Sequence, residues 1–454
     1  MFEPSVMAFM LAVRMLKART PPLRDDSRMR PSREGRRGCA PANGARTSST
    51  PDVIFHFMVE SENKPRLPIG TPSYDNWRAF NSGERVLGEY EYLMFTDARL
   101  TGEVTAGLGP YAFFNLVASI EEPRLVRPAV ALRLSIHASF DSPRMDKTDL
   151  SRYHGGLMED EIAALASLKC GVRFRSGGQT RRFDAGGDPR GRPVAWSNRP
   201  DPEPDILART RAFVLPSVTG EHSLMPIEEM KSFPSLAPNQ EIGLVRSARL
   251  YQDALWLSES EPNLSWLMLV SAVETAANLW RSANDSPLEC LKLSRNKFVK
   301  SLESTGVPGL PELVANEFTD SIGATKKFVD FLLEFIPHAP EKRPPKSGQV
   351  DWSRDSLRRA FAKIYDHRSK ALHTGIPFPA PMCRPPAKWG ASWEAVEERP
   401  MPMAVSVYGG TWLAKDMPML LHTFEYIARR ALNAWWSSLA SPASCTQQET
   451  VGPS

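Results

Sequence analysis

The residues best suited to chemistry lie on one helix-length run, 353–374. Its inward stripe reads Leu357, Phe361, Ile364, Arg368, then Ala371 and Leu372, so an arginine stands where the helical period calls for an aliphatic side chain. A guanidinium cannot shed its charge, and burying one without an anion is strongly unfavourable. Arg368 must therefore line a cleft, where its fork can hold an oxyanion, or meet a carboxylate. His373 follows in the last turn, before Gly375 as the residue past the helix end. Imidazoles titrate close to neutrality, which suits them to taking and giving protons there. The two positions diverge by about 140° around an ideal helix, so they do not share one face. A single charge, Glu274, interrupts the otherwise apolar run 264–280. It needs a partner, and Arg368 is the leading candidate, in a pair that either serves a site or fixes helix register.

Those positions need a bundle to hold them. Leu244, Ala248, Tyr251 and Leu255 form a helical stripe, and 264–280 is apolar almost all round, as suits a bundle's central helix. Ser286-Pro287-Leu288-Glu289 has the pattern of a capping box and starts a helix toward Leu302. Phe328, Phe331, Leu332 and Phe335 mark another inward face. Leu413, Met417, Leu420, Phe424, Ile427 and Ala431 predict a last helix over 412–439. These helices make an all-α bundle over 241–440, interrupted by an irregular insertion at 376–410 and followed by a disordered tail, 441–454.

Upstream the pattern changes. Val130, Leu132, Leu134 and Ile136 alternate with Ala131, Arg133, Ser135 and His137, which predicts a strand with one face in a core. The runs 52–59 and 90–96 also suit strands, and 159–168 suits a helix. The stretch 171–193 holds six arginines against two aspartates and two Gly-Gly pairs, a composition that fits turns. Its Arg173, Arg175, Arg181, Arg182, Arg190 and Arg192 either track a nucleic-acid backbone or form a solvated rim. His154-Gly155-Gly156 reads as a turn. The expectation is an α+β N-terminal domain over 51–200. A linker with six prolines and little periodicity, 201–240, then leads to the bundle.

Charge and cysteine usage narrow the partners. Of 56 Lys/Arg and 52 Asp/Glu in 454 residues, ten and four fall in 1–50, leaving 46 bases against 48 acids in the rest. The basic excess belongs to a leader too poor in aliphatic residues to order itself, so 1–50 reads as disordered. Any nucleic-acid site in the remainder must be a local patch. Cys39, Cys170, Cys290, Cys383 and Cys445 lack zinc-ligand or redox spacing and read as free thiols in a reducing cytoplasm, with no structural metal. The apolar run 7–13 is too short to span a bilayer, so no membrane is expected as a partner.

Tyr365-Asp366-His367-Arg368-Ser369-Lys370-Ala371-Leu372-His373-Thr374-Gly375 resembles the signature of the Apea-like branch of the HEPN superfamily, Tyr-x-x-Arg-Ser-x-x-x-His-x-Gly in a helical bundle. Leu269-Val270-Ser271-Ala272-Val273-Glu274 is similar to that family's earlier helix, which ends in a glutamate. The resemblance covers roughly 241–440, and the long 376–410 insertion departs from it. It implies a HEPN helical domain of a kind that is often dimeric and in many cases a metal-independent endoribonuclease, found in stress response or phage defence. Carried over, it makes Arg368 and His373 the catalytic pair with Glu274 in support, and Tyr365, Ser369 and Lys370 the RNA contacts. Cleavage of RNA by its own 2′-hydroxyl needs a proton shuttle and a cation for the phosphorane charge, which that pair would supply. The expected partners are RNA and a second copy of the chain, with neither cofactor nor DNA. A dimer would set two diverging Arg368–His373 pairs across one cleft, with Trp412, Trp435 and Trp436 as available anchors. His367 is expected on the solvated side. The other reading is a non-catalytic RNA- or protein-binding module whose N-terminal domain senses a ligand.

Overall fold

The alternation around Leu132 does form a strand, and it lies between two others. The computed structural model describes residues 68–116, 126–139, 146–185, 191–196, 212–281, 286–317, 323–389 and 395–440. Its mixed region contains β1 (Gly88–Thr96), β2 (Ala98–Thr101), β3 (Tyr111–Asn115), β4 (Arg127–Ile136), β5 (Arg175–Phe183), β6 (Ala195–Trp196) and β7 (Gly220–Ser223). One antiparallel sheet runs in the order β3-β4-β1-β5-β6, with Leu132 facing Tyr92 on one neighbour and Phe113 on the other. Met94, Phe113, Val130 and Leu132 are fully buried on it. The run 52–59, the leader and the tail lie outside the described residues.

The arginine-rich stretch expected as turns contains β5, paired along β1 from Phe183 opposite Glu89 to Arg175 opposite Phe95. Its glycines serve packing: a Cβ on Gly177 would come within 2.0 Å of the Phe95 ring. Three of the arginines are committed to acids, Arg181 to Glu91 at 3.1 Å, Arg175 to Asp253 at 3.3 Å, and Arg173 within the core.

The helices are α1 (Pro72–Asn81), α2 (Met158–Cys170), α3 (Pro238–Leu257), α4 (Pro262–Arg281), α5 (Pro287–Glu303), α6 (Leu310–Glu317), α7 (Ala324–Glu334), α8 (Arg354–Thr374) and α9 (Leu421–Ala440). The C-terminal part is thus helical, as the periodicity required. α3 packs on α4, and α7 on both α4 and α8. α9 starts at Leu421 rather than near 412, because Trp412 closes a short strand and Leu413 is exposed. α5 starts where expected, although the Ser286 side chain makes no capping hydrogen bond.

α2 joins the sheet to the helices. Ile162, Ala163, Ala164, Leu165, Ala166 and Leu168 are all fully buried, and the helix packs on β5, α3 and α9. Its alanines bury it on every side without holding neighbours apart. The segment expected as a linker is also packed in its described part. Leu224, Ile227, Met230 and Phe233 are buried along an extended 3-10 helix, Met225–Ser235. Their spacing of three matches three residues per turn, a period that a search for 3.6 or 2 does not detect. The described residues accordingly belong to one compact unit.

Buried ions fix the joints. Arg173 donates Nη1 to Asp97 at 2.6 Å, Nη2 to Glu259 at 2.9 Å and Ser258 at 2.8 Å, and Nε to the Leu255 carbonyl at 2.7 Å. The start of α1 is held by acids from distant elements. Glu241 accepts from Thr71 N and Oγ1, and Glu161 from Ser73 N. Burial, reinforced by the charges of Glu161 and Asp75, pushes the Glu241 carboxyl up to about 8 against Thr71's hydrogen bonds.

Two expectations follow for stability. Arg173→Met should cost about 3–5 kcal/mol, because it strands two buried carboxylates. Arg99→Ala, which breaks an exposed pair with Glu221, should cost under ~1 kcal/mol. Denaturant melts of the two variants make the comparison, and equal losses would refute the ranking. For Glu241, a folded-state value above the ordinary 4.5 means stability that is present below that pH and lost as pH rises toward 8. The slope for one linked proton is at most about 1.4 kcal/mol per pH unit. Glu241→Gln should therefore flatten the fall in Tm between pH 5 and 8, and parallel pH profiles would show that Glu241 is ionised in the folded chain.

Candidate functional site

α4 is seated deeply because α3 offers it a glycine. A Cβ on Gly243 would lie 1.7 Å from Leu279 Cδ1, so no larger residue permits this approach. Trp266 of α4 stacks on Phe378 and Phe424, each with ring centroids 5.0 Å apart. α8 begins after Ser353 and stops at Gly375, whose φ of 69° is left-handed. Leu357, Phe361 and Ile364 bury its inner face, which carries Arg368 toward α4.

There the expected pair forms. Arg368 Nη2 donates to Glu274 Oε2 at 2.6 Å, and the Tyr365 hydroxyl donates to Glu274 Oε1 at 2.7 Å. One carboxylate thus takes a donor on each oxygen from two residues of α8. Tyr365 is braced by the Phe328 ring at 5.3 Å and lies under the Arg368 guanidinium, 5.4 Å from its centroid. The ion pair is withdrawn but not sealed, with side chains 15% and 17% exposed. Arg368 Nε is buried and without a partner, so the fork is only partly satisfied.

The rest of the motif divides between surface and core. His373 is exposed in the last turn, and its ring makes no hydrogen bond or ion pair among the described residues. Lys370 is exposed and pairs with Asp366 at 3.0 Å, while Ser369 is half-buried. His367 is not on the solvated side. Its ring is buried, and Nε2 donates to the Asp416 carbonyl at 2.8 Å; burial lowers its pKa. The segment after α8 folds back over the helix and covers it. Buried Glu397 and Glu398 hold that segment, clamped by Arg384 (2.6 and 2.7 Å) and Arg343 (2.7 and 2.6 Å). The described part of the 376–410 insertion is therefore anchored at these two acids.

Two of the three candidate dimer anchors are core. Trp435 and Trp436 are fully buried, Trp435 against Phe331 and Trp436 against Phe233. A buried acid cluster was not legible in the sequence: His154, expected in a plain turn, places Nε2 2.6 Å from Glu161 Oε1, a contact of ion-pair length not aligned as a hydrogen bond. The Cys170 and Cys383 thiols are pushed up to about 12 by burial, which leaves them poor nucleophiles. Among the described residues, no group of three His, Cys, Asp or Glu side chains is placed to hold a metal, and no helix is long and apolar enough to cross a membrane. No family model, curated protein or solved structure matches the chain.

Glu274→Gln replaces a charge-assisted contact by a neutral one and should cost about 1.5–3 kcal/mol. Tyr365→Phe removes a hydrogen bond to the same carboxylate and should cost a similar amount. A calorimetric Tm unchanged in Glu274→Gln would show that Arg368 does not depend on the carboxylate.

Proposed function

We propose that this protein is a HEPN-type endoribonuclease that cleaves RNA by metal-independent acid–base chemistry at the C-terminal end of α8. The reading is supported by one arrangement: Glu274 and Tyr365 fix Arg368 beside a helix end where His373 stays exposed. In it, His373 moves the protons of 2′-hydroxyl attack, and Arg368 faces the phosphorane charge from a pre-set orientation. Lys370, Tyr365 and Ser369 are the proposed RNA contacts. Because Arg368 and His373 diverge around the helix, the proposal includes a second copy whose α8 end completes the site. Its contact must use groups other than Trp435 and Trp436. A second reading, a non-catalytic binding module, is favoured by the fact that Arg368 is mostly withdrawn and already meets a carboxylate.

Incubation of the full chain with total RNA in EDTA, with mapping of the new ends, separates the two. His373→Ala lies on the surface and should leave Tm unchanged while lowering cleavage by about 10²–10⁴. Arg368→Lys, which keeps the charge but loses the fork, should also abolish cutting. Wild-type cleavage surviving in both variants would sink the assignment, and RNA bound but left uncut by the wild type would decide for the binding module.

A further inference from the structure

A cleft of about 460 Å³ opens between α9, the end of α2 and the turn after α7. That volume falls within the ~300–1,000 Å³ typical of small-molecule sites. No residue of α8 lines it, so it is separate from the proposed RNA site. Lys169, Arg429 and Arg430 bring three cations to its wall, against Glu229 as the one lining acid. Lys169 reaches Glu229 at 3.0 Å while packed 4.0 Å from the Trp436 ring centroid. Arg429 bonds to Glu425, itself buried behind the wall, and is wedged against Gly171, where a Cβ would come within 2.8 Å of the guanidinium. Arg430 has no carboxylate partner among the described residues and lies over the Tyr426 ring, 4.7 Å from its centroid.

The rest of the lining is partly apolar and held in place. Tyr426 donates its hydroxyl to the His338 carbonyl at 3.0 Å, which ties the ring to the turn carrying Phe335 and Pro337. Asn433 donates to the Leu168 and Arg429 carbonyls, which leaves its Oδ1 without a donor. Cations beside an apolar lining fit a ligand with an anionic head and an apolar body. Glu229 answers Lys169 and Glu425 answers Arg429 through Nε, so the uncompensated cation is Arg430; a phosphate monoester, with three acceptor oxygens, can engage Arg430 and a second donor at once.

The geometry points to a small phosphorylated ligand of nucleoside-monophosphate size. Its phosphate lies between Arg429 and Arg430, where guanidinium forks can hold it in bidentate fashion. Its planar part lies along Phe335 and Pro337, since Arg430 already covers the Tyr426 ring. Titration calorimetry and thermal shift on the full chain test this with four probes: AMP, UMP, adenosine and inorganic phosphate. Monophosphates should bind saturably and raise Tm, inorganic phosphate should bind at least tenfold more weakly, and adenosine should not bind. Arg430→Ala should keep the unliganded Tm and lose at least tenfold in affinity, whereas His373→Ala should bind as the wild type does. The proposal is overturned if no monophosphate binds at millimolar concentration, if Arg430→Ala binds unchanged, or if inorganic phosphate binds as tightly as AMP.

Discussion

A guanidinium shut away from water must be answered by acceptors on every side, and at Arg173 those acceptors come from separate parts of the chain. Asp97 lies just past β1, while Leu255, Ser258 and Glu259 lie where α3 gives way to α4. Glu259 also accepts from the backbone of Val214 and Leu215, which brings in the segment ahead of the 3-10 helix. One buried cation therefore sets the sheet, the helical part and their connection in a single register. Ionic contacts of this kind add little net stability over apolar packing, but an unmatched partner is very costly. Alternative arrangements of these elements are penalised accordingly.

Buried carboxylates repeat the device elsewhere. Glu161 and Glu241 hold the start of α1, Glu397 and Glu398 hold the insertion over α8, and Glu425 joins Tyr251 to Arg429. Glu161, Glu241, Glu398 and Glu425 take donors from distant parts of the chain and work as tertiary joints, while Glu397 ties the insertion to itself through Arg384 and Ala387. Glu274 belongs to the same class in its bonding, since it joins α4 to α8. It differs in exposure and in leaving Arg368 Nε unsatisfied. Arg249 and Arg399 also leave Nε unsatisfied, so it is the exposed His373 on the same helix that sets Arg368 apart.

The two surfaces of interest lie on different helices. The end of α8 offers one exposed imidazole beside a fixed cation, and α9 offers two guanidinium groups beside an aromatic wall. α9 also packs on α4, the helix that carries Glu274. Core packing of Trp266 from α4 on Phe424, and of Phe331 from α7 on Trp435, leaves little room for α9 to shift alone.

The sequence by itself determined the helices that carry the candidate site, and it singled out Glu274 with Arg368. A lone charge on an apolar face is a strong local signal, because desolvation leaves it few places to go. It also determined β4, where aliphatic side chains recur at every second residue from Val130 to Ile136. Tertiary structure decided the rest. Leu224, Ile227, Met230 and Phe233 looked aperiodic among prolines, and only their 3-10 geometry turns a spacing of three into one buried face. Arg173 and Arg181 looked alike in composition, yet one is sealed in the core and the other lies at the sheet surface. His367 looked solvated because its own helix turns it outward, and it is buried because the chain after α8 returns over it. Local pattern reports which face of an element is apolar. What covers the other face depends on residues tens to hundreds of positions away, and no local pattern contains that information.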